Sequence, residues 1–264
     1  MSGQHDGIGE WIDKRGRKLR AEIGRRFRSV PLPHSPTVCL FCDYEGHYAG
    51  EAGEQFAEAG TDRLLALLER CGLKITFNVV ADMCRAHPER VKRIGEAGHE
   101  IACHGWKHES PRDLSDDETI EMLQKAVAAF DSLKIVPSGF RSPRSAWTTS
   151  LVRYLPHYHF EWNAERDVAW RPYRIYDVVV RMSVKTDDWD LVDGTSDAAG
   201  LFEKWRGVVD ETKANDGCIA IGLHEWIVGR DAAYAEGLEA FINEMLADKS
   251  IRISGIRDAL PAIA

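Results

Sequence analysis

The sequence predicts an α/β fold, a mostly parallel sheet wrapped in helices. Three observations predict it. Apolar, strand-like runs alternate with helix-period segments along the body of the chain. Residues able to do chemistry stand at or just past the ends of those runs, where a barrel-like α/β enzyme presents them at one rim. The 264 residues, 44% hydrophobic and 29% charged, suffice for one sizeable core, with no internal repeat or low-complexity tract.

The elements follow in order. Residues 1–36 form a basic arm and a linker marked by Pro31, Pro33 and Pro36, and residues 37–264 form one domain. The apolar run Val38-Cys-Leu-Phe-Cys42 reads as the first strand. A helix is expected over 61–70, a strand over 74–80, a helix over 87–97 that starts where His87 precedes Pro88, and a short strand at Ile101. Then come a helix over 116–133, a strand near Gly139, a helix over 149–155 and strands near Phe160 and over 178–184. A helix over 201–215, a strand over 218–223, a helix over 232–249 and a strand over 251–253 complete the pattern.

The residues that carry most information are His104 and His108, in Gly98-His-Glu-Ile-Ala-Cys-His-Gly-Trp-Lys-His108. Imidazoles four apart lie on one side of a helical turn, so both can turn a ring nitrogen to a single divalent cation. That is half a metal site. The first strand ends by delivering Asp43-Tyr44-Glu45, two acids two apart that leave a strand on the same side. One can bind a metal while the other moves protons, the division of labour that metal-assisted hydrolysis needs. Further along, Gly139-Phe-Arg-Ser-Pro143, Thr186-Asp-Asp-Trp189 and Ile219-Ala-Ile-Gly-Leu-His224 each close an apolar run.

In these motifs, their order and spacing, the chain resembles the polysaccharide deacetylases with NodB homology, from about Thr37 to Ile253. The most specific part runs from Leu73-Lys-Ile-Thr-Phe77 through His108. Many members carry two adjacent aspartates in the first motif, whereas the acids here are separated, which is similar to the Asp-x-Glu branch. The resemblance implies a distorted (β/α) barrel. It also implies that Asp43 is the catalytic base and that Glu45, His104 and His108 hold one divalent metal ion, with zinc the first choice. In a competing register Cys42 takes the base position and Asp43 the metal, which describes an inactive protein. Strand alternation favours the first register, because Cys42 and Tyr44 point to the opposite face.

The same resemblance implies that Arg141 holds the base carboxylate, a task suited to a planar, permanently charged guanidinium. It implies that Asp188 orients the general acid His224, that Trp189 walls the substrate groove, and that the backbone N–H of Tyr44 meets the oxygen that gains charge. Two residues before His224 the family places a leucine that lines the acetyl pocket. Gly222 stands there in this chain, so an enlarged pocket is expected unless Ile221, Leu223 or Met182 fills it. The implied activity is hydrolysis of an N-acetyl or other small acyl group from an amino sugar in surface glycan, such as lipopolysaccharide, biosynthesis. The alternative is a degenerate member that binds glycan without turnover.

Charge narrows the partners. Of the net charge of −8, residues 1–36 hold eight Lys/Arg against four acids, a balance of +4 that leaves −12 for the rest. A body that acidic argues against nucleic acid, and the family resemblance implies an N-acylated amino sugar or glycan intermediate as the partner. Trp11, Ile12, Leu19, Ile23 and Phe27 recur at near-helical spacing among the basic residues of the arm, a pattern for packing on the domain or for peripheral membrane contact. The arm lacks the uninterrupted apolar core of a secretory signal, and the six scattered cysteines suit a reducing compartment, so a cytoplasmic location is expected. Cys39-x-x-Cys42 lies within a strand and has no second pair, so it is not read as a zinc or redox motif.

Overall fold

A computed structural model describes residues 30–176 and 179–260. The amphipathic arm expected from Trp11, Ile12, Leu19, Ile23 and Phe27 lies outside the described residues. The strands are β1 (Thr37–Tyr44), β2 (Thr76–Val79), β3 (Glu100–Cys103), β4 (Gly139–Arg141), β5 (Trp162–Arg166), β6 (Tyr173–Ile175), β7 (Val179–Asp187), β8 (Cys218–His224) and β9 (Arg252–Ser254). They hydrogen-bond in the order β2-β3-β4-β5-β7-β8-β1, and β1 also pairs with β2, which closes the sheet. Those seven strands are all parallel, so the fold is the distorted (β/α) barrel that the sequence resemblance implies. Two short strands lie outside the ring: β6 runs antiparallel along β7, and β9 pairs with Thr37–Cys39 at the start of β1.

Both faces of each barrel strand are covered, which explains the near-continuous apolar runs. Cys39, Phe41, Ala102, Trp162, Ala164, Val180 and Met182 fill the interior. Val38, Leu40, Cys42 and Tyr44 turn outward to the helices. The alternation within β1 therefore sends Asp43 to the interior side, in line with Cys39 and Phe41.

Glycines set the closest approaches. A Cβ on Gly139 would fall 2.0 Å from Cε2 of Trp162, whose indole Nε1 donates to Glu100 Oε1 at 3.1 Å within the barrel. The helix Glu51–Cys71 crosses the helix Glu225–Arg230 through Gly60 and Gly229, where a Cβ on Gly229 would meet the carbonyl oxygen of Phe56 at 2.2 Å. Backbone cannot yield as a flexible side-chain tip can. Gly229→Ala is therefore expected to destabilise the fold by at least about 1–3 kcal/mol, read as a lower urea midpoint. A midpoint equal to the parent's would show that these helices separate freely.

The sequence places most elements within a few residues. The first helix is the main difference: it begins at Glu51, ten residues before the expected start. Its first half carries Gly53 and Gly60 at buried positions, so the apolar stripe is invisible there while the packing is tight. The strand expected near Phe160 spans Trp162–Arg166, and short helices at Met83–Ala86, Glu225–Arg230 and Ile256–Ala259 have no counterpart in the periodicity.

Candidate active site

The C-terminal ends of the barrel strands converge on one cavity of about 510 Å³. Asp43, Glu45, His104, His108, Arg141, Trp189 and His224 all line it. Asp188 stands behind His224, fully buried.

Asp43 is held from two sides. Asn78, at the end of β2, donates from Nδ2 to Asp43 Oδ1 at 2.8 Å, and Arg141 Nε lies 3.4 Å from Oδ2. The Arg141 guanidinium is itself buried and fixed: Nη1 donates to Ser145 Oγ and to Glu165 Oε2, the latter at 3.2 Å. Glu165 in turn accepts from Ser142 N and Asn163 Nδ2, so both the arginine and its counter-ion are pinned. Cys42 faces away among the helices, and its thiol is pushed up by burial.

Glu45 lies just past β1 with a helical-region backbone, φ −101° and ψ −28°, and Gly46 follows at φ +55°. The turn swings the Glu45 carboxylate towards the two histidines. Glu45 Oε1 is 3.0 Å from His108 Nε2 and 3.8 Å from His104 Nε2. Burial alone would raise the Glu45 carboxyl, but the adjoining His104 and His108 imidazoles and the nearby His224 hold it well below its usual range.

His104 and His108 do meet, although no helix brings them together. The chain from His104 to His108 is an irregular loop with Gly105 at φ +78° and His108 at φ +63°. Backbone bonds from His104 N to Val79 O, Ala81 N to Gly105 O and Asp82 N to Trp106 O lay it against the end of β2. The rings end 5.1 Å apart. His104 Nδ1 donates to the Arg141 carbonyl at 2.8 Å, which leaves the Nε2 lone pair facing Glu45.

These three side chains fit a divalent ion. One ligand atom from each of Glu45, His104 and His108 lies within 4.8 Å of the others. His108 Nε2 is buried without a hydrogen-bond partner, an orphan that a metal bond would satisfy. Two imidazoles and a carboxylate form a donor set used by catalytic zinc sites.

On the opposite wall, Asp188 Oδ1 is 2.6 Å from His224 Nδ1, while Oδ2 accepts from His224 N at 2.9 Å and from Tyr234 OH at 3.0 Å. Burial would lower the His224 pKa, but the charge and hydrogen bond of Asp188, with Glu45 and Asp43 beyond, raise it well above the usual imidazole range. Trp189 lies edge to face with His224 at 5.5 Å and is 43% exposed, so its ring forms part of the mouth.

Two expected substrate contacts, at Gly222 and Leu223, differ. Gly222 faces inward, but a Cβ there would stand 2.7 Å from Cζ of Phe41 and 3.0 Å from Cβ of Asp187. Phe41 and Asp187 therefore occupy the space that the missing side chain leaves, and no enlarged pocket opens at this position. Leu223 and Ile221 are packed outward under the helices by strand alternation, and Met182 lies within the barrel core. The Tyr44 side chain points outward as strand alternation predicts, its hydroxyl accepting from Thr61 Oγ1 at 3.1 Å, so any contact it makes with substrate is through its backbone.

Several residues escape the motif search. Asn78, Glu165 and Tyr234 act across long sequence separations and leave no local spacing to detect. Asp187 stands inside a quoted motif, yet it serves elsewhere: Oδ2 accepts from Arg166 at 2.6 Å and Oδ1 accepts from Trp189 N at 3.2 Å. Glu225 follows His224 directly and is fully buried; burial first, and then the Glu45 charge, push its carboxyl up to about 8. On the rim, Arg144 is exposed and keeps a left-handed backbone at φ +56°, as does Ser145 at φ +52°.

A seven-stranded parallel barrel thus carries two imidazoles, paired acids and a buried acid–histidine couple at one rim. Residues 49–161 match the family model described as polysaccharide deacetylase. That match covers less than half of the chain, and over those residues the chain is similar to the family, the group with NodB homology. It is 25% identical over 158 residues to chitin deacetylase 1 of Cryptococcus neoformans var. grubii, covering 57% of this chain and 31% of that protein. It is 30% identical over 124 residues to the peptidoglycan deacetylase of Helicobacter pylori, covering 44% of this chain and 42% of that protein. The matches thus span less than half the length of these two curated relatives. Among solved structures, a putative polysaccharide deacetylase from Mycobacterium smegmatis superposes with a TM-score of 0.77 at 23% identity, covering 87% of this chain and 91% of that one, a likeness of fold.

Proposed function

We propose that this protein is a metal-dependent hydrolase that removes an N-acetyl or other small acyl group from an amino sugar. The observation that carries the reading is the placement of Glu45, His104 and His108 between Asp43, held by Arg141, and His224, held by Asp188. When bound, a divalent ion at those three ligands polarises the amide carbonyl and a water molecule. Asp43 accepts a proton from the attacking water, its carboxylate kept in place by Arg141 and Asn78. His224 delivers a proton from Nε2 to the sugar nitrogen as the C–N bond breaks, releasing the amine and the carboxylate. Trp189 walls the mouth, and the cavity is large enough for a single sugar residue with its acyl group.

The reading extends to zinc as the metal and to a sugar intermediate of surface glycan, such as lipopolysaccharide, assembly in the cytoplasm. Buried thiols at Cys39, Cys42, Cys84, Cys103 and Cys218 support a reducing compartment. Cell fractionation tests the location; recovery of the protein outside the cytoplasm would remove that part.

Elemental analysis after gentle purification, joined to acetate release from free, nucleotide-linked, lipid-linked and polymeric N-acetyl sugars, tests the activity. The His104→Ala, His108→Ala double variant is expected to lose its metal and its turnover together. If it retains the parent's metal content, the site lies elsewhere. The second reading, binding without cutting, gives no task to a histidine paired with a buried carboxylate beside a cavity. Glycan binding with no acetate released from any substrate would favour it.

A further inference from the structure

Glu225 is a buried acid whose side chain reaches back to the Glu45–Gly46 turn. It follows β8 directly, and its carboxylate crosses to the end of β1. Oε1 accepts from Gly46 N at 2.6 Å and from Glu45 N at 3.2 Å, and Oε2 accepts from Glu45 N at 3.3 Å. These two amides lack a strand partner, because the chain leaves β1 at Tyr44 and turns at Glu45 and Gly46. A hydroxyl, an amide side chain or water could satisfy such a turn. A fully buried carboxyl group is a costly alternative, since burial and the neighbouring Glu45 carboxylate both disfavour its charged form.

The surroundings leave the clamp no slack. Glu225's own carbonyl would lie 1.8 Å from a Cβ on Gly60, so the helix Glu51–Cys71 rests directly on its backbone. A Cβ on Gly46 would overlap Met83 at 2.3 Å, which closes the turn from its other side. Asp43 and His224 are register partners between β1 and β8. Base, acid and Glu45 are therefore tied into one ring of covalent and hydrogen-bonded links, with Glu225 as the closing link.

We infer that Glu225 is a positioning residue for the metal: its carboxylate fixes the Glu45–Gly46 turn so that the Glu45 oxygen meets the nitrogens of His104 and His108. This rests on the reading of those three residues as a metal site. Groups that orient a metal ligand from behind are worth about 10–100-fold in metal affinity.

The test is zinc affinity, measured by competition with a chromophoric chelator on the parent, Glu225→Gln and Glu225→Asp, alongside thermal unfolding of each zinc-free protein. Gln keeps the volume but offers only one accepting oxygen; Asp keeps the charge but is one methylene short of the amides. Both are expected to bind zinc about 10–100-fold more weakly than the parent, while the Gln variant remains folded without metal. Unchanged zinc affinity in whichever variant folds overturns the assignment, as does a zinc-free Gln variant that is unfolded and so shows Glu225 to be structural. A parent that binds no zinc overturns the metal reading as well, which separates the two failures.

Discussion

If the proposed reading holds, Asp43→Asn is expected to bind zinc as the parent does and lose about a hundred- to ten-thousandfold in turnover, the range over which a positioned general base acts. An amide nitrogen cannot take the water's proton. The substitution also meets two donors, since Asn78 Nδ2 faces one oxygen of Asp43 and Arg141 Nε the other. The new NH₂ must oppose one of them, at a cost of about 1–3 kcal/mol for a buried donor left unpaired. The fold should survive that, because Arg141 retains Glu165 and Ser145. Two companion variants fix the register of the first motif. Glu45→Ala should lose zinc, and Cys42→Ala should remain active because its thiol is packed among the helices. If Asp43→Asn loses the metal while Glu45→Ala keeps it, base and ligand are exchanged and the active register fails.

Strand alternation made Asp43 legible. It needs only the period of two along β1, and Cys39, Phe41 and Asp43 do face inward together. The same rule sent Cys42 and Tyr44 outward correctly. It does not account for Glu45, which lies beyond the strand and reaches the site through a turn at Gly46. The four-residue spacing of His104 and His108 pointed to a shared cation, but for a reason the structure replaces: a loop with two left-handed residues, not a helical turn, brings the rings together. Spacing alone cannot tell these apart.

Partners that act across the barrel left no trace in local pattern. Glu165 holds Arg141 from 24 residues away, Glu225 reaches Glu45 across 180, and Tyr234 meets Asp188 across 46. Each contact exists only because the sheet closes, so strand-end motifs reveal the cavity wall but not what braces it. Gly222 shows the opposite failure. A small residue suggests space, yet the neighbouring Phe41 fills it, and the identity of that neighbour depends on register between β1 and β8.

The strongest test of the acid side is Asp188→Asn, where the hydrogen-bond pattern dictates the outcome. Asp188 Oδ2 accepts from both His224 N and Tyr234 OH, so the carbonyl oxygen of the substituted amide must take that position to satisfy two buried donors. The amide NH₂ then faces His224 Nδ1, which in the parent lies 2.6 Å from a carboxylate oxygen, and forces that nitrogen to accept. The imidazole is left neutral, with its proton on Nε2 and no charge behind it to favour the protonated form. Asp188 is the main force raising His224 above its ordinary pKa against the effect of burial, so its loss moves that pKa down. A general acid works only while protonated. The basic limb of the pH–rate profile should therefore shift to lower pH, and turnover at neutral pH should fall by about a hundred- to ten-thousandfold. Zinc content should match the parent, since the hydrogen bonds of the Asp188 carboxylate go to His224 and Tyr234 and to none of Glu45, His104 or His108. A parent-like profile with full turnover would remove the Asp188–His224 couple from the chemistry and leave the proton for the departing nitrogen without a source on this wall of the cavity.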